Sequence, residues 1–198
     1  MRRRCFGGWL PAAVLTIVTL SPPDGLRLSA EPDAERQFLQ SVESYMALRR
    51  QLEHHLPPFA LSADVDAIHR ASDARFAALR RARAAARPGD IFNAGVSELY
   101  RVRIRHGFAV RGDDASELLE EMNEGGERVR PAVVNGRFSW KTAAATPSHV
   151  LAVLPDLPPE LQYRFVGPDL VLVDLDASFI VDVLPDVLNL PPHRGDAQ

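Results

Sequence analysis

Leu161 to Asp176 carries two runs of strand-forming residues, Tyr163-Arg164-Phe165-Val166 and Leu170-Val171-Leu172-Val173, on either side of Gly167-Pro168-Asp169. β-Branched and aromatic side chains pack well on a pleated surface. Gly167 takes a positive φ without a Cβ clash, and Pro168 fixes its own φ near a turn value. The pattern predicts a β-hairpin, and a lone hairpin is only marginally stable in water. The rest of the chain must therefore supply further strands and a cover. Asp174, Asp176 and Asp182 follow at once, set into an otherwise apolar run that continues to Leu184.

The first thirty residues have the order of an export signal: Arg2-Arg3-Arg4, then a mostly apolar run from Trp9 to Leu20, then Ser29-Ala30 as a cleavage point. The run is shorter than the roughly 20 apolar residues that cross a bilayer. Leu28 is bulkier than the usual small residue two positions before the cut, so an uncleaved anchor is the alternative. The one cysteine, Cys5, lies in this segment, so a chain starting at Glu31 has no thiol for a disulfide, a metal or a nucleophile. A bacterial periplasm fits such a chain, provided its core is large enough to do without disulfides. The division expected is a signal over 1–30, one domain over 31–190 and a flexible tail over 191–198, with no transmembrane span in the mature part.

Helical periodicity fills the first half. Phe38, Val42, Tyr45, Leu48, Leu52 and Leu56 make one stripe from Ala34 to Leu56, stopped by Pro57-Pro58. Ser62 or Asp64 caps a second helix that runs to Arg87-Pro88-Gly89. Gly89-Asp90-Ile91-Phe92 is a connector, and Asn93 caps a third helix closing at His106-Gly107, with Gly107 as its left-handed end. Asp114 and Glu117 open a short fourth helix that Gly125-Gly126 ends. Then the pattern changes. Val133-Val134-Asn135-Gly136-Arg137-Phe138 has the Asn-Gly pair of a tight hairpin turn, and Thr146-Pro147 starts a short helix through Val150 and Leu154. The spacing Phe179, Ile180, Val183, Leu184 predicts a C-terminal helix, with a strand over the same residues as the alternative. The fold class expected is α+β: four helices, then two β-hairpins joined in a small antiparallel sheet, with a short helix at the end.

Tyr163-Arg164-Phe165-Val166-Gly167, Asp169-Leu170-Val171-Leu172, Asp174, Asp176-Ala177 and Ile180-Val181-Asp182 together resemble the C-terminal signature of a family of uncharacterised secreted bacterial proteins. Gly89-Asp90-Ile91-Phe92 and Val134-Asn135-Gly136-Arg137-Phe138 resemble other recurring pieces of that family. The similarity so extends over most of the mature chain. Ser178 departs from it, standing where asparagine is expected. The resemblance implies export and carries no activity.

Two groups of residues are candidates for a site. Asp174, Asp176 and Asp182 have the oxygen chemistry of a calcium site, or of the acids of a secreted hydrolase working with a distant histidine such as His106 or His149. The calcium loop pattern of alternating acids, glycine and a downstream glutamate is missing. The plainer reading makes Asp176 the cap of the C-terminal helix, leaves Asp182 exposed and has Asp174 accept from an arginine or backbone amides. The second group is Arg80, Arg83 and Arg87, on one helical stripe in a stretch from His69 to Arg111 with ten arginines and three acids. These side chains either meet the acidic segment Asp113–Glu127 or dock an anionic partner. Nucleic acid is excluded as a partner, because the chain from Glu31 on carries 25 acids against 19 basic residues. There is no H-E-x-x-H, Walker loop, G-x-S-x-G or G-x-G-x-x-G. The function expected is an exported, non-enzymatic accessory or binding domain without a cofactor, for an unknown periplasmic protein or anionic ligand.

Overall fold

Phe38, Val42, Tyr45 and Met46 form the buried stripe of the first helix, α1 (Asp24–Glu53), and around that stripe the rest of the chain packs. The structure, a computed structural model, describes residues 24–58, 64–112, 115–124 and 130–189, without the side chains of 24–30 and 123–124. The charged start, the apolar run to Leu20, Cys5, Ser62, Asp114, Gly125-Gly126 and the tail 191–198 lie outside the described residues. α1 begins at Asp24 rather than at Ala34 and passes through Pro32. A proline inside a helix costs one backbone hydrogen bond, which is why the sequence pattern reads as starting beyond it.

Three more helices follow: α2 (Val65–Ala82), α3 (Ala94–Arg111) and α4 (Ala115–Glu124). Asp64 caps α2 by accepting from the Ala67 amide at 3.1 Å, and Asn93 caps α3 by accepting from Val96. α2 stops at Ala82 instead of running to Arg87. There the chain is drawn into tertiary bonds: the Arg83 carbonyl accepts from Asn135 Nδ2, and the Arg83 guanidinium donates to the Val181 carbonyl. α3 continues past Gly107 and ends at Gly112, whose φ is +74°. Gly107 is needed for close approach instead. A Cβ there would lie 3.2 Å from the carbonyl of His149 in the short helix α5 (Ser148–Leu151) that packs on α3.

The sheet has four antiparallel strands in sequence order, β1 (Ala143–Ala145), β2 (Leu161–Val166), β3 (Asp169–Asp174) and β4 (Phe179–Leu184). The hairpin around Gly167-Pro168 forms as read, with Leu161 opposite Asp174 and Val166 opposite Asp169. Residues 177–184, read as a helix, are the strand alternative: Phe179 to Leu184 pair with β3 and are buried throughout. β-Branched Ile180, Val181 and Val183 suit a strand covered on both faces. A turn forms at Val133–Gly136, with Asn135 at φ +62° and the Gly136 amide bonded to Val133 O, but the runs on either side of it do not pair with each other as the hairpin reading expected. Only glycine fits at 136, where a Cβ would stand 2.7 Å from that carbonyl. The arm leaving the turn lies along β4 through the bridge Arg137–Phe179 and bonds between Ile180 and Asn135-Gly136.

One face of the sheet meets the helices. Leu161, Tyr163, Phe165, Leu170, Leu172, Phe179, Val181 and Leu184 join the helical apolar residues in the main core. Phe38 is its centre, with the rings of Tyr100 at 5.1 Å, Phe92 at 5.8 Å and Tyr163 at 6.3 Å. The other face carries Val166, Val171, Val173, Ile180 and Val183, and Phe138 covers it from the 130–142 arm. The β3–β4 turn holds Ser178 at φ +45°, a region that asparagine tolerates and serine rarely adopts. Ser178→Asn is therefore expected to stabilise the fold by about 0.5 kcal/mol; a lower urea midpoint for the variant would contradict the reading of this turn.

Candidate functional site

The three aspartates come apart into two separate structural devices. Asp174 ends β3 on the helix-facing side of the sheet and is fully buried. Its Oδ2 accepts from the Tyr45 hydroxyl at 2.8 Å and from Arg49 Nε at 2.9 Å, and its Oδ1 accepts from the Ala177 amide at 3.2 Å. Asp176 sits in the β3–β4 turn and pairs with Arg49 Nη2. It caps no helix, because a strand follows it. Glu53 pairs with Arg49 Nη1 at 2.7 Å, and Glu160 stands 3.8 Å from the same nitrogen. Arg49 thus gathers four carboxylates and takes the place a cation would hold among them.

The electrostatics of the pair are uneven. Burial pushes the Asp174 carboxyl above the usual carboxylate range, although Arg49 and Tyr45 pull the other way. Burial also lowers Arg49, but Asp174, Glu53 and Asp176 more than reverse this and leave it raised. The two directions are compatible: Arg49 is surrounded by acids, whereas Asp174 has no contact with water. Burial and the neighbouring Asp174 charge hold Tyr45 protonated well above its ordinary value, so it serves as a donor.

Asp182, read as exposed, is fully buried. A bulge is the reason. Leu172 faces Asp182 but Val173 faces Ile180, so β4 carries one extra residue between them. The extra residue reverses the in–out alternation, and Asp182 turns toward the helices. Its carboxylate accepts from the amides of Gly89 (3.0 Å), Ile91 (2.7 Å), Phe92 (2.8 Å) and its neighbour Val183 (2.8 Å). The connector between α2 and α3 is thereby tied to the sheet. Among the described residues, no group of three or more His, Cys, Asp or Glu side chains is placed to hold a metal ion.

The arginine stripe is divided in the same way. Arg83 turns inward, donating 2.8 Å to the Val181 carbonyl at the bulge and lying 5.3 Å from the Tyr45 ring centre; burial lowers its pKa. Arg87 is exposed, and Arg80 lines a surface cleft. Elsewhere in the basic stretch, Arg103 pairs with Glu35 of α1 at 2.6 Å and Arg101 donates to the Pro185 carbonyl. These bonds lead to α1 and the sheet rather than to the acidic segment, of which Asp113, Asp114 and 125–129 lie outside the described residues.

Two clefts flank the Val133–Arg137 turn. One, about 620 Å³, lies over the outer face of the sheet between Arg130, Arg137, Phe138, Val166 and Ile180. The other, about 690 Å³, lies between the turn and the end of α2, with Phe76, Arg80 and Arg137 in its wall. Neither is lined by Asp174, Asp176, Asp182, His106 or His149. The residues that pattern reasoning missed are Arg49 and the amides of Ile91 and Phe92. Arg49 was detectable, because it continues the apolar stripe at the spacing Tyr45, Arg49, Leu52, Leu56. Among the described residues no helix is long and apolar enough to cross a membrane. Comparison with family models, curated proteins and solved structures found no match for this chain.

Proposed function

We propose that this chain is an exported, non-enzymatic binding domain whose buried acids serve the fold and whose surface arginines serve an anionic partner. One observation carries the reading: the oxygens of Asp174 and Asp182 are taken up by the chain's own donors, Tyr45, Arg49 and backbone amides. A general acid or base needs its carboxyl within reach of a substrate, and these two face helix α1 and the 89–92 connector. The rival, a hydrolase or calcium protein built on Asp174, Asp176 and Asp182, needs oxygens that converge on one point. Here Asp182 serves a different loop from the other two. Export rests on Arg2–Arg4, the apolar run and Ser29-Ala30.

N-terminal sequencing of the protein from its native cell, together with fractionation, tests the proposal. The expected result is a chain beginning at or near Glu31 outside the cytoplasm. A retained Met1 or a cytosolic location contradicts it.

A further inference from the structure

We propose that the two clefts around the Val133–Arg137 turn form one binding site for a small amphipathic anion, a carboxylate with a short apolar body. The inference rests on the binding-domain reading above and gives that domain its ligand class. The charged side chains lining the first cleft are Arg130 and Arg137, and those lining the second are Arg80 and Arg137. Among the described residues no carboxylate lines either. The volumes, about 620 and 690 Å³, fall within the range of small-molecule sites, which are apolar clefts with a few polar groups that fix orientation.

The wall and the rim ask for different chemistry. Pro131 and Val133 give the first cleft an exposed apolar wall above the buried Phe138, Val166 and Ile180, and Ser139 and Thr142 add hydroxyls. A purely polar anion would leave that wall wet, and an uncharged apolar molecule would offer the arginines no anion. A molecule with both ends satisfies both. Arg137 joins the two clefts, since it lines both. Its guanidinium lies 4.2 Å from the Phe76 ring centre, and it pairs with Asp73 at 2.8 Å. Stacking uses the flat side of a guanidinium, whereas its N–H donors lie in the plane and fork onto a carboxylate. Both partners of the Asp73 pair are about half-exposed, 48% and 64%, so a ligand carboxylate replaces a weak surface partner. Val133, 63% exposed, stands on the wall common to the two clefts.

Titration of isotope-labelled protein with sodium octanoate, followed by amide NMR, tests the site, with acetate, octanol and phosphatidylglycerol vesicles as the other arms. Octanoate is expected to shift the amides of Val133–Phe138, Val166 and Ile180, and to bind at least about tenfold more tightly than acetate or octanol, which each lack one recognition element. Val133→Glu places an acid on the shared wall and is expected to weaken octanoate at least tenfold. Arg130→Gln, at an exposed position, is expected to weaken it severalfold and serves should Val133→Glu lower the thermal midpoint. No shift at millimolar octanoate, shifts unaltered by both variants, or binding to vesicles alone would overturn the proposal. A chain that starts near Glu31 outside the cytoplasm yet ignores octanoate removes this site and leaves the binding-domain reading standing. A cytosolic chain removes the export reading whatever octanoate does.

Discussion

Asp182→Ala is expected to destabilise the domain by about 3–5 kcal/mol, read as a fall in the urea midpoint at neutral pH. The substitution removes the acceptor of four amides at once, those of Gly89, Ile91, Phe92 and Val183. A buried donor left without an acceptor costs about 1–3 kcal/mol. The bonds to Ile91, Phe92 and Val183 are buried, whereas the one to Gly89 is only partly so and water can answer it. Three orphaned donors, each at the lower end of that cost, therefore set the scale. Asp182→Asn is expected to cost about 2 kcal/mol, because its carbonyl still accepts on one side while its NH2 opposes donors on the other. An exposed acid would give changes within about 0.5 kcal/mol for both. Values that small would contradict the bulge and the inward turn of Asp182.

Arg49→Leu is expected to cost about 3–5 kcal/mol, since it leaves the buried Asp174 without its cation. Asp176→Ala should cost below about 1 kcal/mol, because Asp176 is partly exposed and is one carboxylate among four. A pH dependence follows from the raised Asp174 carboxyl. A carboxyl with a folded pKa above its unfolded value binds its proton more tightly in the native state. Its contribution is complete below the unfolded value, near 3.9, and is lost as pH rises through the folded value. The stability of the native protein relative to Asp174→Asn should thus fall from about pH 4 toward neutrality. Urea unfolding of both proteins over that range gives the sign directly, and a rise would contradict it.

The sequence announced what depended on neighbours along the chain. The Gly167-Pro168 hairpin, the Asp64 and Asn93 caps and the Asn135-Gly136 turn are local chemistry, and each forms. What it hid depended on parity and on distant partners. Val181 is one residue too many for strict alternation, and that single residue moves Asp182 from the predicted surface into the core. The Val181 carbonyl at the bulge is met by Arg83, which was read as meeting the acidic segment or docking an anionic partner. Phe179 to Leu184 have apolar residues at spacings that suit a helix and a strand alike. Burial on both faces decided for the strand. The pieces noted for their resemblance to secreted bacterial proteins turn out to touch: the amides of Gly89, Ile91 and Phe92 donate to Asp182, and Asn135-Gly136 bond to Ile180.

The site itself was half legible. Asp174 accepting from an arginine and a backbone amide is the plainer of the two readings, and the structure bears it out. The stripe marks Arg49 as facing the core, but not its pairing with Asp174, 125 residues away. Of Arg80, Arg83 and Arg87, only Arg80 lines one of the two clefts beside the Val133–Arg137 turn, since α2 ends at Ala82 and the stripe they were assigned to is broken.

The most direct test of the account, that its buried acids hold the fold together, is a double-mutant cycle on Arg49 and Asp174. Urea unfolding of the native protein, Arg49→Leu, Asp174→Leu and the double variant supplies the four free energies. Arg49→Leu leaves Asp174 without its cation, and Asp174→Leu takes from Arg49 the buried one of its four carboxylates, whereas the double removes the buried pair together, an exchange that is often neutral. The expected result is a double variant more stable than either single one, with a coupling of about 1.5–3 kcal/mol. Two single variants within about 0.5 kcal/mol of the native protein and strictly additive would contradict the account, and would leave Asp174 for some role other than anchoring α1 to the sheet.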